Sequence, residues 1–164
     1  MKKAAAILST YLVVYLFGIA SILILTYQPG SIQMPQAIQH HTVSELDSPS
    51  DWLQQDQIKV YENEVRIDLK DPIWSTFSDT NSMDPILDKD SHGIEILPAS
   101  PDEIEIGDII SYSKDGIVII HRVMQKGTDT EGLYFITKGD NNSISDPEKV
   151  RWPQITGVLV AIIY

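Results

Sequence analysis

A serine within a run of small polar residues is the first group in this chain that could do chemistry. Ser82 lies in Ser78–Pro85, where Met83 and Pro85 follow it closely. A serine hydroxyl is a weak nucleophile at neutral pH and needs a base beside it. Asp, Asn, Ser and Pro are also the usual residues of turns. The segment therefore predicts either a nucleophile loop or an ordinary turn, and a nearby base would favour the first.

His121 is the best candidate for that base. It lies in the apolar run Val118–Val123, where strand alternation places it on the face of Ile119 and Val123. A neutral imidazole at such a position can accept a hydroxyl proton near neutral pH. The alternative is a histidine at the edge of the core, bonded to backbone. The other histidines, which lie in polar segments and are weaker candidates, are His40, His41 and His92.

A third polar segment carries two aspartates. Lys138–Asn142 reads Lys-Gly-Asp-Asn-Asn, with Asp140 inside it and Asp146 six residues further on. An aspartate on the far nitrogen of a histidine would fix its tautomer and stabilise the imidazolium. The segment could instead be a turn whose side chains bond their own backbone, or a calcium loop. The EF-hand ligand spacing is absent, and we expect no metal.

Together and in this order, the segments resemble signal peptidase I of the archaeal and endoplasmic-reticulum type. The resemblance runs from about residue 77 to the C-terminus. That family has an N-terminal membrane anchor as well. The residues that carry the resemblance are Ser82-Met83, Pro85, Gly107-Asp108, His121-Arg122-Val123, Lys138-Gly139-Asp140-Asn141-Asn142 and Asp146.

The resemblance implies a serine endopeptidase that needs no cofactor. Ser82 would be the nucleophile, and His121 would stand where bacterial signal peptidases and LexA-like proteases carry a lysine. Asp140 and Asp146 match the two family aspartates, at least one of which supports the histidine. The oxyanion would be held by the Ser82 N–H and the Thr80 hydroxyl. The substrates implied are secretory preproteins, cut at the signal-peptide junction.

Two departures from the family pattern stand out. Thr80-Asn81 replaces the usual Ser-Gly before the nucleophile, and residues 43–76 match nothing in the family. Thr80 keeps a hydroxyl. Asn81 loses the freedom of glycine at positive φ, although Asn tolerates that region better than most residues.

The N-terminal residues predict a membrane anchor. No charged residue lies between Lys3 and Glu45, and Ala4–Tyr27 is almost wholly apolar, which is long enough to cross a bilayer. The stretch is longer than the apolar region of a cleaved signal peptide. Lys2 and Lys3 predict a cytoplasmic N-terminus, so the chain would be a single-pass cell-membrane protein with its catalytic domain extracytoplasmic.

Behind the anchor the sequence predicts a linker and one β-rich domain. We assign residues 1–27 to the cytoplasmic tip and anchor, 28–56 to a linker and 57–164 to a peptidase domain. A short helix at Val43–Gln55 is an alternative within the linker. The strands are predicted at Ile58–Leu69, Gly93–Pro98, Ile104–Ser113, Ile117–Gln125, Gly132–Lys138 and Ile155–Ile163.

Asp115-Gly116 between two apolar runs is a strong hairpin signal, and no crossover helices separate the strands. The fold class is therefore all-β, with an antiparallel β-barrel or folded sheet behind one transmembrane helix. The chain has no cysteine, which excludes disulfides and thiol catalysis.

Charge limits the partners. The residues after 44 carry 10 basic and 23 acidic side chains, a formal charge of −13. Such a surface argues against nucleic acid and against tight binding to anionic lipid. Membrane lipid is expected as a partner through the anchor, and an apolar rim near Ile73, Trp74 and Phe77 could dock the domain on the bilayer. Accessory subunits stay an open question.

Two other classes of protein compete with the peptidase interpretation. The first is a membrane-anchored binding or assembly module, or a decayed peptidase, in which Ser82 and His121 would lie far apart. The second is a LexA-like self-cleaving regulator. The chain has no DNA-binding segment and no Ala-Gly cleavage dipeptide, and this disfavours the second class.

Overall fold

The computed structural model describes residues 45–164, which form nine strands in two antiparallel sheets. Within these residues the helical elements are single 3₁₀ turns, at Gln55–Gln57, Pro101–Glu103 and Trp152–Gln154. The strands are β1 Ile58–Val60, β2 Val65–Ile67, β3 Ile73–Thr76, β4 His92–Ile96, β5 Ile109–Lys114, β6 Ile117–Asp129, β7 Gly132–Lys138, β8 Val150–Arg151 and β9 Ile155–Ile163.

Seven of the strands form the main sheet, in the order β3-β4-β9-β5-β6-β7-β8. All six neighbouring pairs are antiparallel. β3 and β8 are the end strands and do not pair with each other, so the described sheet is open. β1 and β2 form a separate hairpin. The all-β antiparallel prediction is confirmed for the described residues.

The β5–β6 hairpin turns where the sequence predicts it. Asp115 and Gly116 both have positive φ, 50° and 81°. Two successive left-handed residues are what a two-residue hairpin turn requires, and Asp-Gly supplies them at low cost. The predicted strands Gly132–Lys138 and Ile155–Ile163 are confirmed residue for residue.

Other predicted boundaries were wrong. The strand expected over Ile58–Leu69 is two short strands, because Tyr61–Glu64 turns the chain back. The strand expected from Ile104 starts at Ile109, because Gly107 has a φ of 99° and Asp108 closes a turn onto Glu105. No helix occupies residues 45–54. β3 and β8 were not predicted.

The main sheet buries side chains on both faces. Ile110 and Tyr112 of β5 enter one apolar cluster and Ile109 enters another, as alternation along a strand demands. We call these clusters the first and the second core. The first core is Ile104, Ile110, Tyr112, Val123, Phe135, Val150, Ile155 and Val158, and the second is Met83, Leu87, Ile109 and Leu159.

Residues 47–53, in the predicted linker, pack against the domain. We call them the docking segment. The Ser50 N–H donates to Asp108 Oδ1 at 2.7 Å, and Arg122 Nη1 donates to the Asp47 carbonyl at 3.1 Å. Trp52 packs against the first core. A side chain at Gly107 would collide with the carbonyl of Ser48, so this contact needs glycine.

The N-terminal assignments concern residues that the structure does not describe. The anchor at 1–27 and residues 28–44 of the linker lie outside the described part of the chain. Residues 45–164 contain no helix long and apolar enough to cross a membrane.

The buried Asp108 carboxylate is expected to hold the docking segment in place. It is fully buried and accepts from the backbone of Ser50 and, at 2.8 Å, of Glu105. Asp108→Ala would leave both N–H groups unpaired, so we expect it to lower the free energy of unfolding by about 2–4 kcal/mol. Urea denaturation of the full chain measures this. Proteolysis should also become faster within residues 47–53.

Glu62→Ala is the matched control for this experiment, because Glu62 is exposed and lies in the β1–β2 turn. A surface change of this kind should alter stability by less than about 0.5 kcal/mol. Equal urea midpoints for the two variants would contradict the role given to Asp108.

Candidate active site

A cleft of about 480 Å³ lies between β3, the loop after it and the β5–β6 hairpin. Ser82 and His121 both line it, as does Thr80. The sequence places Thr80 and Ser82 in one loop and His121 on a separate strand, and the fold brings them to one cavity. The other lining residues are Ser75, Thr76, Phe77, Ser78, Met83, Leu87, Glu95, Ser111, Ile117, Val118, Ile119 and Ile120.

Asn81, which stands where the family usually has glycine, adopts a positive φ in the loop before Ser82. Asn81 has a φ of 57°, in the left-handed region where glycine is favoured. Asn adopts it here, and its carbonyl accepts from Asn141 Nδ2 at 2.9 Å. The Thr80 hydroxyl lies 3.2 Å from Ser82 Oγ, within hydrogen-bond distance. Asn81 is thus compatible with the turn that presents Ser82.

The segment Gly139–Asn142 packs against the loop that carries Ser82 and bonds to its backbone. The Asn141 N–H donates to the Ser82 carbonyl at 2.9 Å. A Cβ at Gly139 would lie 2.5 Å from the same carbonyl, so the two backbones approach each other more closely than any side chain permits. Glycine at 139 is therefore a requirement of the contact with the serine loop.

His121 is held by Asp146. The His121 Nδ1 to Asp146 Oδ2 distance is 2.7 Å, and His121 is 8% exposed. A carboxylate can only accept, so Nδ1 carries the proton and Nε2 is left as the acceptor. This is the tautomer that a general base needs, because the free nitrogen can take a hydroxyl proton.

Two hydroxyl groups fix the Asp146 carboxylate in turn. Thr137 Oγ1 donates to Oδ2 at 2.6 Å and the Tyr112 hydroxyl donates at 3.1 Å. Burial is the main cause that raises the pKa of Tyr112 to about 12, and the neighbouring Asp146 charge adds to it. Tyr112 therefore stays protonated at neutral pH and remains a donor to the carboxylate.

Asp140 has a different partner. Its two oxygens accept from Arg122 Nε at 2.8 Å and Nη2 at 2.7 Å, in a bidentate pair whose side chains are 7% and 6% exposed. Adjacent residues of β6 point to opposite faces, so His121 and Arg122 each receive one aspartate from the same loop. Asp146 therefore pairs with His121, and Asp140 pairs with Arg122. The expectation that Asp140 is catalytic finds no contact here that supports it.

Ser82 and His121 face the same cleft without a direct hydrogen bond. Within residues 45–164 the Ser82 hydroxyl pairs with Thr80. Bonds between a nucleophile and its base are often long before substrate binds, so this geometry is compatible with catalysis. Their catalytic roles stay predictions.

The remaining sequence candidates lie elsewhere. His40 and His41 are outside the described residues. His92 stacks on Trp74, with ring centroids 5.5 Å apart, and does not line the cleft. Among residues 45–164 no three His, Cys, Asp or Glu side chains converge as metal ligands, and Asp140 and Asp146 are both engaged by protein donors. The calcium alternative therefore has no support in the described part.

Sequence reasoning missed Tyr112 and Asn141 as parts of the site. Tyr112 pairs with Ile119 across the hairpin, two residues before His121, so the register of β5 and β6 could have placed it beside the histidine. The bond from Asn141 to the Ser82 carbonyl links loops about 60 residues apart, and no local pattern signals it.

Substitution of Asp140 should lower the free energy of unfolding more than substitution of Asp146. Asp140→Asn breaks a buried bidentate pair and leaves Arg122 without its counter-charge, so the free energy of unfolding should fall by about 3–5 kcal/mol. Asp146→Asn weakens hydrogen bonds at a partly exposed carboxylate and should cost about 1–2 kcal/mol. Urea denaturation followed by circular dichroism compares them. A larger loss for Asp146→Asn would refute this division of roles.

Tyr112 predicts a loss of stability at alkaline pH. Its pKa is about 12 in the folded chain against 10.0 for an ordinary tyrosine, so the unfolded chain ionises first. The stabilisation is complete below pH 10 and should disappear as the pH rises to 12, by up to about 2–3 kcal/mol. Between pH 9 and pH 11.5, the free energy of unfolding measured in urea should fall more for the wild type than for Tyr112→Phe. Parallel curves would rule this out.

Comparison with known proteins gives short but consistent matches. The chain is 43% identical over 44 residues to the signal peptidase complex catalytic subunit SEC11 of Candida albicans, in two strains, and of Candida tropicalis. The match covers 26% of this chain and 26% of each relative. No protein-family model and no solved structure matches. The matches support a relation to the signal peptidase family.

Proposed function

We propose that this protein is a membrane-bound serine endopeptidase of the signal peptidase I kind, of the archaeal and endoplasmic-reticulum type. One observation carries the proposal: Ser82 and His121 line the same cleft, and Asp146 holds the histidine in the tautomer of a general base. A non-catalytic module gives no reason for this convergence of three distant segments. The SEC11 matches support the same family.

The proposed reaction proceeds through an acyl-enzyme. His121 Nε2 takes the Ser82 hydroxyl proton while Oγ attacks the carbonyl carbon of the scissile peptide bond. Asp146 stabilises the imidazolium that forms. The C–N bond then breaks and His121 gives its proton to the leaving amine. Water, deprotonated by His121, attacks the ester and releases the acid product, which regenerates the serine.

Two groups are available for the oxyanion. Among residues 45–164 no backbone bond engages the Ser82 N–H, and the Asn141 contact fixes the adjoining carbonyl. The Thr80 hydroxyl is the second donor, beside Ser82 Oγ. Removal of one such donor to the oxyanion of the transition state typically lowers kcat by roughly 10²–10³-fold.

The end strand β3 offers a track for an extended substrate. Its last residues, Ser75 and Thr76, line the cleft, and its outer edge has no strand beside it in the described sheet. An extended peptide can add to such an edge through main-chain hydrogen bonds. We propose that the segment bound here is the junction after the signal sequence of a secretory preprotein.

The proposed site of action is the outer face of the cell membrane. Ala4–Tyr27 would be the single span, with a cytoplasmic N-terminus and lipid as its partner. Ile73 and Trp74 are 41% and 70% exposed, and this apolar rim would rest on the bilayer. Phe77 does not join this rim, because it packs on the second core.

Removal of the nucleophile or of the base should abolish cleavage. We expect Ser82→Ala and His121→Ala each to lower the rate on a secretory precursor by at least about 10³-fold, because each removes a group that acts in the transition state. Gel analysis of precursor and mature product in detergent measures this. Near-UV circular dichroism should show that both variants are folded.

Ser78→Ala is the matched control, since Ser78 lines the same cleft and is exposed. It should retain activity close to wild type. Full activity in either Ser82→Ala or His121→Ala would sink the assignment. Absence of cleavage in the wild type, with the cleft intact, would favour a decayed peptidase.

A further inference from the structure

One acidic side chain is buried in the cleft, although the other acids of the chain mostly lie on the surface. Glu95 of β4 is 4% exposed and lines the cavity together with Ser82 and His121. Within residues 45–164 no basic group pairs with it, and none of the described hydrogen bonds reaches its carboxylate. Its oxygens are not among the fully buried, unpaired polar atoms of these residues, so the carboxylate stays open to the cleft and free to meet a ligand.

The fold makes room for this carboxylate. Glu95 lies opposite Leu159 of β9, and its oxygen Oε2 rests over Gly157, where any Cβ would collide with it. Gly157 is in turn opposite Ser111 of β5, a second polar group in the cleft. Across these three strands the face beside Glu95 thus carries a glycine and a serine as well as the apolar Leu159.

The strand register is irregular at this point. The β4–β9 ladder shifts between Ile94 and Glu95, and the β5–β9 ladder shifts between Ser111 and Tyr112. Such bulges commonly re-aim side chains beside functional sites. One of the two bulges lies beside Glu95 and the other beside Ser111, and both residues line the cleft.

We propose that Glu95 forms a subsite for a basic side chain, lysine or arginine, of the bound peptide. The inference rests on the proposed peptidase function. Part of the cleft lining is apolar, with Phe77, Leu87 and Ile120 among its residues, and would pack along the aliphatic stem of such a side chain. The charged end would then meet the Glu95 carboxylate. A cavity of about 480 Å³ has room for a side chain of this length.

Peptide binding tests this without cleavage. The probe is a fluorescein-labelled ten-residue polyalanine peptide with one lysine, placed at each position in turn. Norleucine at the same position is the neutral counterpart. Anisotropy titrations use full-length Ser82→Ala protein in neutral detergent at physiological salt. At one position, lysine should bind about 10- to 100-fold more tightly than norleucine, as expected for a charge-assisted hydrogen bond.

Three further variants, made in the Ser82→Ala background, show whether Glu95 is the cause. Glu95→Gln removes the charge, and Gly157→Ala displaces the carboxylate, so both should abolish the lysine preference while the norleucine peptide still binds. Glu62→Gln makes the same change of charge on the surface and should retain the preference. This control is needed because the acidic domain attracts any basic peptide weakly.

The outcomes separate the two proposals. No preference for lysine, or a preference that survives Glu95→Gln, overturns the subsite. If the active protein cleaves a precursor in a Ser82-dependent manner while lysine is not preferred, only the subsite falls. If lysine binds through Glu95 while no precursor is cleaved, the subsite stands and the proposed peptidase function falls.

Discussion

The buried ion pair of Arg122 and Asp140 joins the parts of the molecule that the site depends on. Arg122 donates to both oxygens of Asp140 and to the carbonyls of Gly107 and Asp47. It therefore ties β6, the turn before β5, the docking segment and the Gly-Asp-Asn-Asn loop to one planar group. Desolvation of two charges is expensive, and four charge-assisted hydrogen bonds offset that cost. His121 immediately precedes Arg122 in β6, so its backbone is fixed by the same pair.

Residues 139–146 connect the Arg122–Asp140 pair to Ser82 and His121. From one end the loop places Asp140 on Arg122, and from the other it places Asp146 on His121. Between them Asn141 holds the serine loop through two hydrogen bonds. Ser82, His121 and Asp146 are thus all positioned by eight consecutive residues. A preorganised site needs this kind of rigid support.

Local patterns predicted well where the chain itself determines the geometry. The Asp115-Gly116 turn and the alternation that separates His121 from Arg122 follow from two neighbouring residues each. The choice between Asp140 and Asp146 could not be predicted in this way, because both lie in one loop and only the tertiary partner distinguishes them. Strand β3 was missed because only four residues, three of them exposed, form it against β4. The burial of Glu95 depends on the absence of a side chain at Gly157, 62 positions away.

Two of the places where this chain breaks a local rule lie at the cleft. Asn81 occupies a conformation that favours glycine, and Glu95 is a buried acid without a basic partner among the described residues. Elsewhere the strongly acidic domain keeps most of its carboxylates on the surface, where they cost little. Local conflicts of this kind reduce stability and persist where surrounding contacts or a ligand compensate them. For Asn81 the compensation is visible in the Asn141 contact. For Glu95 the described residues supply no basic partner, and the proposed lysine or arginine of a bound peptide would supply the opposite charge.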